Sequence, residues 1–401
     1  MNALGIPTGP VRRVLLATLV NAIGNGMTLT LFVVYLTKVR GFHIGQATAV
    51  LAAMSVVGLA CSPLAGTFID KIGARPLLLV SLPMMAVGVA ANGHIRSLAS
   101  ALVIGCWNAV ASGGNWSAQS TLMSRMVDGE QRQRMFGINF MILNFGIGAG
   151  GLISASIVSL SDPSTFETLY LVDGCSFLLV WGVIMSLRGH GGPSPKRVAD
   201  DGSAMKQRGW GHVAKDVLLR RYLVAALLLM ICGYGNMEAG LSYFVTTTVH
   251  LPVSRLGIIM AANTAAIVVA QIFMLKRIEG RSRTGMLVVV SLLWAASWAL
   301  NASSAFMGVF AATLVLCLGQ VVFAVGETIW APVAPAIIND LADDDVRGRY
   351  NSAQAMLWTV AGTLAPMFAG AFLQRGNGFL WISSLVVGCL LAAVVFADLK
   401  R

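Results

Sequence analysis

The chain has 401 residues, of which 56% are hydrophobic and 11% charged, with a formal net charge of +11. A mean hydropathy of +0.76 over that length excludes both a soluble domain built round one core and a disordered chain, and it implies a polytopic membrane protein. The basic surplus reads as membrane topology and contact with anionic headgroups, because no soluble stretch interleaves basic and aromatic residues as a nucleic-acid surface would.

Twelve apolar runs are long enough to span a bilayer, about 14–37, 46–69, 77–93, 99–123, 136–160, 168–187, 222–249, 255–275, 285–301, 305–338, 351–374 and 379–397. The first has no small-residue cleavage site after a short core and reads as a spanning helix, not a signal peptide. With the N-terminus inside, every basic residue except Lys38, Arg40, Arg96, Arg255 and Arg375 falls on the cytoplasmic side, so both termini are expected in the cytoplasm and the protein in the plasma membrane, a bacterial inner membrane. The expected architecture is all-α, with an N-terminal six-helix half (1–187), a cytoplasmic linker (188–221) and a C-terminal six-helix half (222–401). The linker carries Gly189, Gly191, Gly192, Pro193, Pro195 and basic residues, and 210–219 has the composition of a short surface helix. Two halves joined this way imply repeats with a transport site between them. The six cysteines all fall inside predicted helices and read as small packing residues, not disulfides or a metal set.

In helix 1, Asn21 and Asn25 are four residues apart and share a face, with Gly24 and Gly26 beside them allowing close helix approach. They read as interhelical hydrogen bonding or as cavity lining. After helix 2 the chain reads Gly66-Thr-Phe-Ile-Asp70-Lys71-Ile-Gly73-Ala-Arg75. This resembles the loop motif G-x-x-x-D-R/K-x-G-R/K-R/K of the major facilitator superfamily, with Ala74 where a basic residue is usual. The resemblance implies the major facilitator fold and a cytoplasmic gate in which Asp70 caps the N-terminus of helix 11, near Asn351. Arg75 has Asp128 and Glu130 as prospective partners in the next cytoplasmic loop.

Helix 4 supplies Asn108, Asn115 and Gln119 as polar candidates for the cavity, but it has Ala109 or Val110 where drug/proton antiporters of the superfamily carry an arginine. Helix 5 reads Asn144-Phe-Gly146-Ile-Gly148-Ala-Gly150-Gly151, similar to the antiporter signature N-x-G-x-x-x-G-P-x-x-G, with Gly151 in place of its proline. The family ties that motif to export; read physically, it is also a small-residue packing face. Asp173 lies near the outer end of predicted helix 6, where headgroups would solvate it as a cap or interfacial group.

Two carboxylates lie deep in apolar runs. Glu238 in helix 7 is flanked by Gly235, Asn236 and Gly240; Glu327 in helix 10 has no other charge between Arg283 and Asp340. The second-half copy of the loop motif, 276–283, retains only its charge and one glycine. Helix 10 and its exit read Gly326-Glu327 with Pro332 five residues beyond the glutamate, then an acidic loop ending Arg347-Gly348-Arg349-Tyr350-Asn351. This is similar to one branch of multidrug/proton antiporters, which implies a functional carboxylate at Glu327. The superfamily lines its cavity with helices 1, 4, 7 and 10, adding Asn236 and Gln320 to the polar candidates. Without the helix 4 arginine, Glu327 is expected neutral at rest.

The resulting expectation is a monomeric secondary transporter that uses no cofactor or metal. Its partners would be a small-molecule substrate, protons and the lipid bilayer, with no nucleic acid. It would export hydrophobic or amphipathic, often cationic compounds against protons bound by Glu327 and Glu238, with Trp107, Trp116, Phe244, Trp330, Trp358 and methionines as an adaptable apolar wall. Export of one metabolite or antibiotic, and proton-coupled nutrient uptake, are the alternatives; no buried cation is placed to hold an anionic nutrient. The five histidines lie in loops or at helix ends and form no catalytic set, so an enzyme is disfavoured.

Overall fold

The structure, a computed structural model, describes residues 9–127, 130–193 and 208–399, apart from the side chains of Thr30, Glu130, Glu238 and Ala239. The chain is helical almost throughout: α1 (Pro10–Val39), α2 (Ile44–Ile72), α3 (Ala74–Asn92), α4a (Leu98–Ser112), α4b (Asn115–Ser124), α5 (Glu130–Ile157) and α6 (Pro163–Ser186). There follow α7a (Val217–Gly235), α7b (Asn236–Thr247), α8 (Ser254–Ile278), α9 (Arg283–Ser303), α10 (Val309–Leu341), α11 (Arg347–Leu373) and α12 (Gly378–Asp398). Eleven of these stretches are long and apolar enough to cross a membrane.

The twelfth expected span, 99–123, is interrupted. Its two pieces α4a and α4b meet at Gly113-Gly114, where a Cβ would fall 2.9 Å from Cys61 Cβ and 2.5 Å from Ala65 Cβ. Close approach to α2 requires glycine there, and two successive glycines weaken the helix. Helix α6 starts five residues before its expected position, because Asp162 caps it by accepting from the Ser164 N–H at 3.0 Å and Pro163 occupies the first turn. Helix α7a likewise starts at Val217, where Asp216 accepts from the Leu219 N–H at 3.1 Å. The short surface helix is therefore confined to Trp210–Lys215. Its Trp210 indole donates to the Pro63 carbonyl and to Thr67 Oγ1.

By packing the chain divides into two compact units, Met1–Val213 with Ala342–Ala355, and Ala214–Leu341 with Met356–Arg401. In the first, α1 packs on α5 and α6, α3 on α6 and α4a, and α2 on α4a. In the second, α10 lies against α8 and α9, and α9 and α7a lie against α12. The helix 5 glycines explain the tightest contact of the first unit. A Cβ on Gly150 would collide with the Ile23 carbonyl, one on Gly146 would fall 2.5 Å from Ala22 Cβ, and one on Gly26 would collide with the Ile147 backbone. Without side chains to hold them apart, the two backbones meet and van der Waals contact replaces the missing hydrophobic force between helices in lipid. A Cβ on Gly151, where the antiporter signature has proline, would make only an ordinary contact with the Gly26 carbonyl at 4.0 Å, and Asn144 donates to its own helix at the Phe140 carbonyl.

Gly150→Leu should separate α1 from α5 and lower stability by roughly 1–3 kcal/mol. The fall should register as a lower melting temperature of the purified protein, whereas Gly151→Leu should melt near the wild-type temperature.

Candidate functional site

Polar chemistry collects in two places, one in each unit. In the first, Asp70 ends α2 fully buried, and the N-terminus of α11 is brought to it. Asp70 Oδ1 accepts from the Gly348 N–H at 2.6 Å; Oδ2 accepts from the Arg349 N–H at 3.3 Å and from Arg349 Nη1 at 2.7 Å. One carboxylate thus satisfies two orphan donors of a helix start, meets the positive end of its dipole and pairs with a buried guanidinium. Gly66 makes room for this, since a Cβ there would lie 2.6 Å from Ser352 Oγ. Gly73 has φ +104 and faces the Gly191 and Gly192 backbone, so no other residue fits.

Lys71 is exposed. Arg75 donates to the carbonyls of Ile184 (3.0 Å) and Met185 (2.8 Å), binding the C-terminal turn of α6. Of the two partners expected for it, Asp128 lies outside the described residues, as does the side chain of Glu130. The same corner holds Asn351, which donates to Thr121 Oγ1 at 3.2 Å and accepts from Ser120 Oγ at 2.7 Å.

Several sequence candidates of this unit have local structural partners. Asn21 donates to Ser176 Oγ at 2.9 Å, and Asn25 is half-buried. Asn108 donates to the Gly88 carbonyl and Asn92 Oδ1, and Asn115 accepts from Ser81 Oγ at 2.7 Å; both tie α4 to α3. Gln119 is half-buried and lines a small cavity with Val14, Thr18, Leu78 and Leu82. The expectation for Asp173 is overturned: the early start of α6 puts the residue ten positions inside the helix, 1% exposed, with Thr28 Oγ1 donating to it at 2.6 Å. Headgroups do not solvate it.

In the second unit Glu327 is 3% exposed in the middle of α10 and accepts from Asn263 Nδ2 on α8 at 2.7 Å. Asn263 is the only amide between Arg255 and Gln271 in that run, and its isolation was the available signal of a buried partner. The next α10 residue, Thr328, accepts from Gln271 Nε2 through its carbonyl at 3.2 Å. On α10, Gln320, Phe323, Glu327 and Trp330 recur at helical spacing. Gln320 is fully buried with neither amide atom hydrogen-bonded.

Phe323 stacks on Trp294 at 4.6 Å between ring centroids; Trp294 meets Trp330 at 6.0 Å and Tyr234 at 5.0 Å, and Tyr234 meets Trp358 at 4.9 Å. Gly326 makes this possible, because a Cβ there would collide with the Trp294 indole. Of the expected aromatic wall, Trp330 and Trp358 belong to this cluster. Phe244 packs instead on Trp381, and in the first unit Trp107 and Trp116 are exposed. Asn236 accepts from the Trp381 indole at 2.9 Å and donates to the Ile231 carbonyl in the π-turn Ile231–Gly235. Glu238 follows on α7b, with a side chain outside the described residues.

Among the described residues no group of three or more His, Cys, Asp or Glu side chains could hold a metal, and all six cysteines are free.

A membrane-embedded helical carrier, with charges concentrated at helix ends and isolated polar groups inside, is the class these features define. Residues 14–304 match the family model described as Major Facilitator Superfamily, and the chain belongs to that family of transporters. It is 25% identical over 377 residues to a class C tetracycline resistance protein of Escherichia coli, covering 90% of this chain and 87% of that one. It is 23% identical over 417 residues to the multidrug efflux pump Tap of Mycolicibacterium fortuitum, covering 98% and 96%. An uncharacterised transporter of the same type from Bacillus subtilis, YqjV, is 22% identical over 225 residues, which span 56% of this chain and only 53% of that relative. Among solved structures, a bacterial homologue of the iron transporter ferroportin in its outward-facing state superposes with a TM-score of 0.80 at 13% identity, over 98% of this chain and all of that one. The human organic anion transporter MFSD10 superposes at 0.76 with 16% identity, over 97% and 100%. At such identities the structures carry the fold alone.

Removing one member of a buried ion pair leaves the other charge uncompensated, at about 3–5 kcal/mol. Asp70→Ala should therefore destabilise the protein by about that amount, and Asp70→Ala combined with Arg349→Leu should recover part of it. Thermal unfolding of the three proteins in lipid nanodiscs measures the coupling.

Proposed function

We propose that the protein is a proton-coupled exporter of hydrophobic or amphipathic, often cationic small molecules, and that Glu327 is the group exchanging proton for substrate. The observation that carries the reading is a glutamate buried in the middle of α10, held by the neutral amide of Asn263. An ionised carboxylate in hydrocarbon costs several kcal/mol, so a chain keeps one there for a task. Proton loading keeps the site neutral for the return step, and an arriving cation or water favours the ionised form.

The neighbouring aromatic cluster of Tyr234, Trp294, Phe323, Trp330 and Trp358 offers flat apolar faces to a lipophilic cation. The unsatisfied amide of Gln320 adds one polar group free for a ligand. The first-unit corner built on Asp70 and Arg349 supplies a gate that binds the N-terminus of α11 in one of the two access states. Two relatives named for tetracycline resistance and multidrug efflux support export over uptake. The basic-residue distribution supports a plasma-membrane location with both termini cytoplasmic, and a monomer suffices for the mechanism. Glu238 is the second proton-site candidate.

In everted vesicles energised with a proton gradient, Glu327→Gln should abolish substrate-driven proton movement while leaving the protein folded and inserted. Full proton movement in that variant would sink the assignment. In a pump-deficient host, broad resistance across a panel of cationic and neutral drugs is the expected outcome, and resistance to a single compound would point to a dedicated exporter.

A further inference from the structure

We propose that Asp173 is a separate proton-binding carboxyl of the first unit, reached along a polar seam between α1 and α6, and that its proton occupancy controls how α1 packs there. The inference does not depend on the role of Glu327. On α6, Glu167, Tyr170, Asp173 and Ser176 recur every third residue, each a neighbour of the next on a line that winds round the helix. Each meets a residue of α1 or of its end. Arg40 pairs with Glu167 at 3.2 Å, Tyr35 lies edge-on to Tyr170 at 5.4 Å, Thr28 donates to Asp173 at 2.6 Å and Asn21 donates to Ser176 at 2.9 Å. The Arg40–Glu167 end is partly exposed, and the seam runs inward from it.

Among the described residues the side-chain partners of Asp173 are hydroxyls. Besides Thr28, Ser176 Oγ donates to the Asp173 backbone carbonyl at 2.7 Å and lies within 3.4 Å of Oδ1. The ionisable groups facing this site are few. On α6 they are Tyr170 and Glu167. From α1 they are Tyr35, whose hydroxyl donates to the Gly93 carbonyl, and Arg40, which is engaged with Glu167, Tyr35 and Gly93. Arg96 lies beyond α3. Helix α3 itself carries no ionisable side chain except Arg75 at its far end, bound to the Ile184 and Met185 carbonyls. With no basic side chain among the described residues paired to it, a carboxylate here would be an uncompensated charge in hydrocarbon, and a bound proton removes it.

Two further observations point to a path and a response. The Tyr170 hydroxyl, one turn from Asp173 toward the exposed end, is buried with no hydrogen-bond partner, in a residue 2% exposed. A polar atom left open beside a buried carboxyl is a place for a passing water. Second, the α1 residues of the seam sit at the irregularities of that helix. Thr28 precedes the 3₁₀ turn Leu29–Leu31, and Tyr35 opens the π-turn Tyr35–Val39. Gly24 keeps the approach open, because a Cβ there would lie 3.0 Å from Asp173 Oδ1. The proton comes from water at the Arg40–Glu167 end and rests on an Asp173 carboxyl oxygen. Neutral Asp173 accommodates the dry packing; ionised Asp173 holds the Thr28 hydroxyl more tightly and must also admit water, and the irregular turns of α1 absorb the change.

The test is an infrared pH titration of the full-length protein in lipid nanodiscs, reading the C=O stretch of protonated carboxyls. Near neutral pH, wild type should show a band that is lost in Asp173→Asn, restored in Asp173→Glu, retained in Glu327→Gln and shifted in frequency in Thr28→Val. A spectrum unchanged by Asp173→Asn would overturn the proposal. Should that variant fail to fold, a Thr28→Val spectrum identical to wild type would overturn it instead. Because Glu327→Gln is read separately, the exporter reading and this one can fail independently.

Discussion

Hydrocarbon offers no hydrogen bonds, and most of the interior of this protein answers to that constraint. Backbone groups are satisfied by winding nearly the whole chain into helices. At helix starts and irregular turns side chains contribute: Asp162 and Asp216 take the orphan N–H groups at the starts of α6 and α7a, and Asn236 donates to the Ile231 carbonyl in the π-turn of α7. Side-chain polarity is then rationed to helix ends and to a few interior pairs.

The Asp70 corner shows how much one carboxylate can organise under this rule. A charge placed at the end of α2 finds two backbone donors, a helix dipole and a guanidinium within 3.3 Å. It therefore binds the first turn of α11 to the first unit, although most of that helix belongs to the second. Such a contact is strong when made and expensive when half made. Gly66 and Gly73 belong to the same device, since it needs backbones closer than any side chain allows.

The interior carboxylates follow a different logic. Glu327 and Asp173 are both buried, and their neighbours in the structure include the neutral donors Asn263 and Thr28. Neutral donors hold a carboxyl in place without fixing its charge. A buried arginine would have fixed it, as Arg349 does for Asp70.

Composition and apolar run length determined the membrane class and eleven of the twelve expected spans, since both follow from the thickness of the bilayer; the break at Gly113-Gly114 in the twelfth was set by close approach to α2. The loop motif at 66–75 pointed to the family because its glycines and charges are dictated by local backbone geometry and by one helix start. Glu327 was legible as a solitary charge in an apolar run. Partners were not legible: that Glu327 meets Asn263, that Arg75 binds carbonyls of α6, and that Asn108 and Asn115 join α4 to α3 depend on helix rotation. Periodicity fixes which residues share a face but not what that face meets. Asp173 was misread for a more local reason, because an Asp-Pro start lengthened α6 and moved the residue from the expected interface into the packed interior. Only the tertiary structure could decide these pairings, since each is a choice among helices that look equally apolar from the sequence, made by the close packing of small residues far away in the chain.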